Sequence, residues 1–192
     1  MLVGFHGYAE NAETQLERLR TIPGGERWLR VSIQGLHRFY QSRTDAVVAS
    51  WMTRQDREAA IADNIAYVST CIDAIAAEWP MVPVIVFAGF SQGVGMAFRA
   101  AAGTSRGAAG VIAVGGDVPP ELEPGLLKRL TAVLIVRGVS DALYPAEKFA
   151  EDQRRLRESS VSVRAVEMDG GHEWSGAVSE AAAEFLRGRY PR

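Results

Sequence analysis

Hydrophobic positions along the chain fall into short runs, two-residue alternations and helical spacings, and their order predicts the elements. Leu2 to Phe5 is a short apolar run closed by His6-Gly7, which marks a first strand. Glu10 to Arg20 holds helix formers with apolar steps from Ala12 to Leu16 and Leu19, ended by Pro23-Gly24-Gly25. Trp28 to Gln34 alternates, with Leu29, Val31 and Ile33 set against Arg30, Ser32 and Gln34, as in a strand with one face partly wet. From Asp56 to Trp79 the period is helical, with Ile61, Ile65, Val68, Ile72, Ile75 and Trp79 three or four apart until Pro80 and Pro83 stop it.

The second half repeats the strand and helix alternation. Val84 to Ala88 is apolar at every position and leads through Gly89-Phe90-Ser91-Gln92-Gly93 into a helix-forming stretch from Val94 to Ala101. Gly103 to Gly107 connects to a strand at Gly110 to Val114, closed by Gly115-Gly116. A short helix within Pro119 to Leu130, a strand at Ala132 to Val136, a helix at Ala146 to Glu158, a strand at Val161 to Val166 and a closing helix at Gly176 to Arg187 complete the series. This pattern predicts an α/β fold with a mostly parallel central sheet flanked by helices on both faces. The fully apolar runs belong at its centre and the alternating Trp28 to Gln34 and Val161 to Val166 at its edges. Gly35 to Arg54 follows neither period, yet it holds His37, Phe39, Tyr40, Trp51 and Met52, too much aromatic surface for an idle loop, and is expected over the active face.

Composition narrows the class. With 192 residues, 47% hydrophobic and 23% charged, the whole chain, residues 1–192, reads as one globular domain with a sizeable core and no room for a cap domain. A formal charge of −2 gives no excess basic face, so nucleic acid is not an expected partner. No uninterrupted apolar run approaches the about 18 residues of a spanning helix, and Met1 to Phe5 lacks the features of a signal peptide, so stable membrane insertion is not expected. Cys71 is the one cysteine, which excludes an intrachain disulfide and a cysteine zinc cluster and makes a cytoplasmic setting the default. It flanks the apolar face of the long helix, where a small core residue is the expected reading.

The chemistry centres on Ser91. A bare G-x-S-x-G match carries little weight, but here a central strand precedes it and a helix follows. A turn this sharp needs glycine on either side of the serine, and it sits at the carboxyl end of a buried strand, where open α/β sheets bind ligands. A serine hydroxyl needs a base, and the base needs an acid to hold its tautomer. Of three histidines, His172 follows the last strand on the glycine-rich loop Asp169-Gly170-Gly171-His172, while His6 lies beside the first loop and His37 in the aromatic stretch. Asp141, after the strand Ala132 to Val136, is the expected acid; Asp117 is the alternative, and Asp169 suits a turn-capping role. The chain order Ser91, Asp141, His172 is that of α/β-hydrolases. The backbone N–H groups of Gln92, at a helix amino terminus, and of Tyr8, in the first loop, are the expected oxyanion-hole donors.

His6-Gly7-Tyr8 after a strand, Gly89-Phe90-Ser91-Gln92-Gly93, the Asp141 segment and Gly171-His172-Glu173-Trp174 together resemble the phospholipase/carboxylesterase family of α/β-hydrolases, which includes the acyl-protein thioesterases. The resemblance spans nearly the whole chain and implies an esterase with Ser91, Asp141 and His172 as triad, the Tyr8 and Gln92 amides as oxyanion hole, and no cofactor or metal. Two features depart from the family: Ala9 stands where glycine is common, and the sheet is expected to be shortened at its start, lacking the family's first antiparallel strands. Trp28 to Gln34 is then an exposed edge that a second copy of the chain could cover as a homodimer. The expected partner of the site is a small-molecule ester, held in a shallow pocket walled by Trp51, Leu143 and Trp174, for which core packing is an equal alternative. A thioesterase or lysophospholipase acting on acyl chains, and a non-catalytic binding module, are the rival readings.

Overall fold

The computed structural model describes residues 1–80 and 84–189. Six parallel strands form the central sheet in the order β2-β1-β5-β6-β7-β8. In chain order these are β1 (Leu2–Phe5), β2 (Arg30–Ile33), β5 (Val86–Phe90), β6 (Gly110–Val114), β7 (Ala132–Gly138) and β8 (Ser162–Met168). Strands β3 (His37–Tyr40) and β4 (Val47–Ser50) make a separate antiparallel hairpin. The helices are α1 (Ala12–Arg20), α2 (Arg57–Glu78), α3 (Gln92–Gly103), α4 (Pro124–Leu127), α5 (Ala146–Glu158) and α6 (Gly176–Arg187). Pro83, expected to help end the long helix, lies outside the described residues; α2 ends at Glu78, ahead of Pro80.

The unbroken apolar runs are explained by a core on each side of the sheet. Val3, Phe5, Phe87, Val111, Ala113, Val133 and Ile135 point to one face, where they meet α2, α3 and α5 through Val68, Ile72, Ala97 and Phe149. Leu2, Val86, Ala88, Ile112, Val114, Leu134 and Val136 point to the other and meet α1 and α6 through Leu19, Val178, Ala182 and Phe185. Successive residues of a strand face opposite ways, so a strand covered on both faces must be apolar throughout. The two alternating strands, β2 and β8, stand at the edges as their pattern predicts.

Two expectations are corrected. Gly35 to Arg54 is more ordered than its irregular pattern suggests: it carries the β3-β4 hairpin, which lies outside the central sheet and makes one further antiparallel bridge, from Ala49 to Glu10. The helix α2 is 22 residues long and reaches a mean hydropathy of 1.2 over 18 residues, so it is long and apolar enough to cross a membrane, although no single apolar run is. In this fold it lays Ala60, Asn64, Val68 and Ile72, a stripe at steps of four, against the core.

The turn after β5 is the tightest approach in the sheet. A Cβ on Gly93 would stand 2.1 Å from the Phe5 carbonyl oxygen, and one on Gly89 would stand 2.4 Å from the Gly93 carbonyl oxygen. Neither contact can be relieved by a side-chain rotation, because both neighbours are backbone. We therefore expect Gly93→Ala to lose roughly 3 kcal/mol or more of stability. Urea denaturation followed by circular dichroism measures it, and a loss below about 1 kcal/mol would contradict this packing.

Candidate active site

Four loops meet at the carboxyl ends of β1, β5, β7 and β8, and register brings them level: Phe5 pairs with Gly89, Phe90 with Val114, and Gly138 with Met168. Ser91 forms the turn between β5 and α3 with φ 52 and ψ −122, a left-handed backbone that costs a non-glycine residue about 1–3 kcal/mol. Its amide still donates to the Val114 carbonyl at 2.9 Å, which ties the strained residue to the neighbouring strand. Among the described residues the Ser91 hydroxyl has no hydrogen-bond partner, so it is free to meet a ligand.

Asp141 is 4% exposed and its hydrogen bonds are all donated to it. Oδ1 accepts from the amides of Leu143 and Tyr144 at 2.9 and 3.0 Å, and Oδ2 accepts from His172 Nδ1 at 2.9 Å. An acceptor-only environment suits a carboxylate, and the bond to Nδ1 leaves His172 Nε2 as the basic nitrogen. The His172 ring lies 5.0 Å from the Phe90 ring, beside the serine turn. Its loop can cross β7 because Gly138 has no side chain; a Cβ there would stand 2.3 Å from the Gly171 carbonyl oxygen. Asp117 and Asp169, the other acids considered for this role, are exposed and do not bond His172.

The loop after β1 carries the first candidate oxyanion donor. Neither the Tyr8 nor the Gln92 amide has an acceptor among the described residues, and Gln92 opens α3, where the helix dipole adds positive potential. Ala9, the residue that departs from the family's glycine, adopts φ 58, the conformation glycine would take more cheaply. Its amide bonds the Ala49 carbonyl at 3.0 Å and the Ala49 amide bonds the Glu10 carbonyl at 2.8 Å, so the hairpin holds the loop in that shape.

Side chains not anticipated from the sequence surround this loop. Glu10 accepts from the Gly7 amide at 2.7 Å and from both terminal nitrogens of Arg18 at 2.5 and 2.6 Å. Burial pushes the Glu10 carboxyl up, but the Arg18 guanidinium and the Gly7 amide hold it below the ordinary carboxylate value. His6 is fully buried: its Nδ1–H donates to the Gly7 carbonyl at 2.8 Å and its Nε2 accepts from the Gly35 amide at 3.0 Å. That pairing requires a neutral ring, and burial lowers its pKa. His6 is thus a clamp on the loop.

The hairpin covers this end of the sheet, as its aromatic content suggests. Gln92 accepts from the Trp51 amide at 2.9 Å and donates to Ser50 Oγ at 3.0 Å, joining the helix that starts at the serine turn to β4. Of the three residues expected to wall a pocket, Trp51 is only 1% exposed and belongs to the core, with its indole N–H on the His6 carbonyl at 2.8 Å and its ring edge-on to Phe5. Leu143 is 74% exposed beside Asp141, and Trp174 is half-buried against α6 with its N–H on Ser179. A cavity of about 850 Å³ lies instead between the loop after β1 and the hairpin, bounded by Tyr8, Phe39, Met52 and Gln92 among others. Among the described residues no group of three or more His, Cys, Asp or Glu side chains could hold a metal ion.

A parallel sheet with a sharp serine-bearing turn on a central strand and loops converging on it defines an α/β-hydrolase fold. The chain belongs to the phospholipase/carboxylesterase family, whose profile matches residues 45–189. Solved structures of similar fold include SOBER1 of Arabidopsis thaliana, at 16% identity and TM-score 0.77, covering 98% of this chain and 97% of that one. Esterase PE8 superposes with TM-score 0.74 at 20% identity over 98% of this chain and 92% of its own. A Bacillus cereus carboxylesterase does so with TM-score 0.71 at 16% identity over 99% and 88%. Comparison with curated protein sequences finds no significant match.

The buried neutral His6 has a consequence for stability. Its pKa is below 6.5 when folded and about 6.5 when unfolded, so between those values the unfolded chain binds more protons and stability rises with pH. His6 thus contributes fully above about pH 6.5 and progressively less as the pH drops through its folded pKa. We expect His6→Ala to be destabilised by about 2 kcal/mol or more at pH 7.5, with the gap to the unaltered protein narrowing toward pH 5. Urea titrations across that range measure it; a gap independent of pH would contradict the neutral clamp.

Proposed function

We propose that the protein is a serine hydrolase that cleaves carboxylic esters through an acyl-enzyme on Ser91. The observation that carries this reading is the 2.9 Å bond from His172 to the buried Asp141 carboxylate, beside a serine held in a strained turn at the head of α3. In the first step His172 Nε2 takes the hydroxyl proton as Ser91 Oγ attacks the ester carbonyl carbon. The developing oxyanion accepts hydrogen bonds from the Tyr8 and Gln92 amides, which have no competing acceptor among the described residues. His172 then passes the proton to the departing alcohol as the carbon–oxygen bond breaks, leaving the acyl group on Ser91. Water, deprotonated by the same nitrogen, attacks the acyl carbon and releases the acid, and Ser91 regains its proton. Asp141 stays ionised throughout, holding the imidazole and stabilising its protonated form.

The same acyl-enzyme could be loaded from a thioester or a lysophospholipid, since only the leaving group differs. The cavity beside the oxyanion donors favours short esters: its wall mixes Tyr8, Phe39 and Met52 with many polar side chains, whereas a long acyl chain needs a continuous apolar channel.

On this reading Ser91→Ala lowers kcat/KM for p-nitrophenyl butyrate by about a thousandfold or more. Steady-state kinetics on the purified variant measure it, and a loss under tenfold would overturn Ser91 as nucleophile. Across a series of p-nitrophenyl esters, kcat/KM is expected to be highest for acetate or butyrate and to fall toward laurate. A maximum at laurate would favour acyl-chain substrates.

A further inference from the structure

The cavity beside the oxyanion donors has a charge character that the proposed chemistry does not require. Arg38 on β3, Arg54 in the loop after β4 and Arg57 at the first turn of α2 all line it, and among the described residues no carboxylate side chain does. In a chain of formal charge −2 this is a local reversal of sign. It also differs from how arginine is used elsewhere in the fold: Arg18, Arg99 and Arg137 each meet a carboxylate at 2.5 Å. None of the three cavity arginines forms an ion pair with any described residue. Arg57 Nη1 rests on Met52 Sδ at 2.9 Å, which turns it toward the cavity. On its outer side Arg57 shares a second cavity with Asp56, Glu58 and Glu121, so its field is partly offset, while Arg38 and Arg54 do not line that cavity. The buried Nδ1 of His37, on the same wall, has no hydrogen-bond partner among the described residues, a further polar group awaiting one.

We propose that this cavity binds an anionic group, a carboxylate or a phosphate monoester, carried by the substrate, so that the ester cleaved at Ser91 is a negatively charged small molecule. The inference rests on the esterase reading for the position of the scissile bond. Tyr8 and Gln92 belong both to the oxyanion pair and to the cavity wall, so a carbonyl between their amides extends directly into the arginine-lined space. Guanidinium groups match planar carboxylate and phosphate oxygens with paired hydrogen bonds and are weakly hydrated, so they serve better than ammonium groups in a walled site. Tyr8 and Phe39, 5.7 Å apart, would line the short carbon chain between ester and anion.

Two matched ester pairs test the proposal and locate the anion. p-Nitrophenyl hemisuccinate against p-nitrophenyl butyrate places the charge on the acyl side; 4-carboxyphenyl acetate against 4-carbamoylphenyl acetate places it on the alcohol side. In at least one pair the anionic ester is expected to have about tenfold or higher kcat/KM, and the ratio to fall toward one in 0.5 M salt and in the triple variant Arg38→Gln, Arg54→Gln, Arg57→Gln. Calorimetry with the corresponding stable anilides, the p-nitroanilide of succinic acid against that of butyric acid and the matching acetanilide pair, reads the same preference without turnover. Ratios of one or less in both pairs, or a preference that survives the triple substitution, would overturn the anion site. Loss of all ester hydrolysis with the anilide preference intact would overturn the esterase reading and leave the anion site standing. The three side chains are exposed and none forms an ion pair with a described residue, so the variant is expected to fold, as circular dichroism would register.

Discussion

The contact between Gly93 and the Phe5 carbonyl governs the rest of this molecule. With no Cβ at that point, α3 starts directly against the end of β1, and Ser91 is forced into the left-handed turn that lifts its hydroxyl from the sheet. The same approach sets the start of α3, with Gln92, against the end of β1, from which the loop carrying Tyr8 leaves. The strain at Ser91, about 1–3 kcal/mol, is small beside the burial of Val86, Phe87 and Phe90 in the strand behind it, each worth about 1.5–3 kcal/mol. A central strand covered on both faces is therefore stable enough to hold a turn that an edge strand could not.

The loop after β1 has no such sheet on either side and is held by polar contacts. Glu10 closes the loop on the Gly7 amide and is held by Arg18 from α1, the neutral His6 joins the loop to Gly35, and the Ala49 carbonyl fixes Ala9 in a glycine-like conformation. These bonds tie the loop to three other parts of the chain, α1, Gly35 and the hairpin, so the proposed oxyanion donor Tyr8 is positioned by tertiary structure. The hairpin has two roles: Ala49 and Ser50 brace the loop and the start of α3, and Arg38 and Phe39 wall the adjoining cavity.

Much of the fold was legible in the residues because strand burial leaves a direct trace. Continuous apolar runs mark β5, β6 and β7, and alternation marks the two edges, β2 and β8. The family resemblance rested on the same stretches and on the segments around Ser91, Asp141 and His172. The hairpin escaped because four-residue strands with mixed patterns, His37 to Tyr40 above all, carry too few positions for a period to emerge. Trp51 stood open between two readings for a related reason: an indole suits a pocket wall and a core equally, and the His6 carbonyl that accepts its N–H in the core is out of sight in the sequence. The Glu10–Arg18 clamp and the arginine-lined cavity depend on residues brought together from distant turns, which no local pattern encodes.

The claim on which the account depends is that Ser91 is an activated nucleophile. Reacting the purified protein with a fluorophosphonate and mapping the adduct by tandem mass spectrometry tests it most directly. The account predicts a single phosphonylated residue, Ser91, with labelling slowed sharply in Asp141→Asn, where the hold on His172 is weakened. No adduct, or one on another residue with Ser91 untouched, would contradict it.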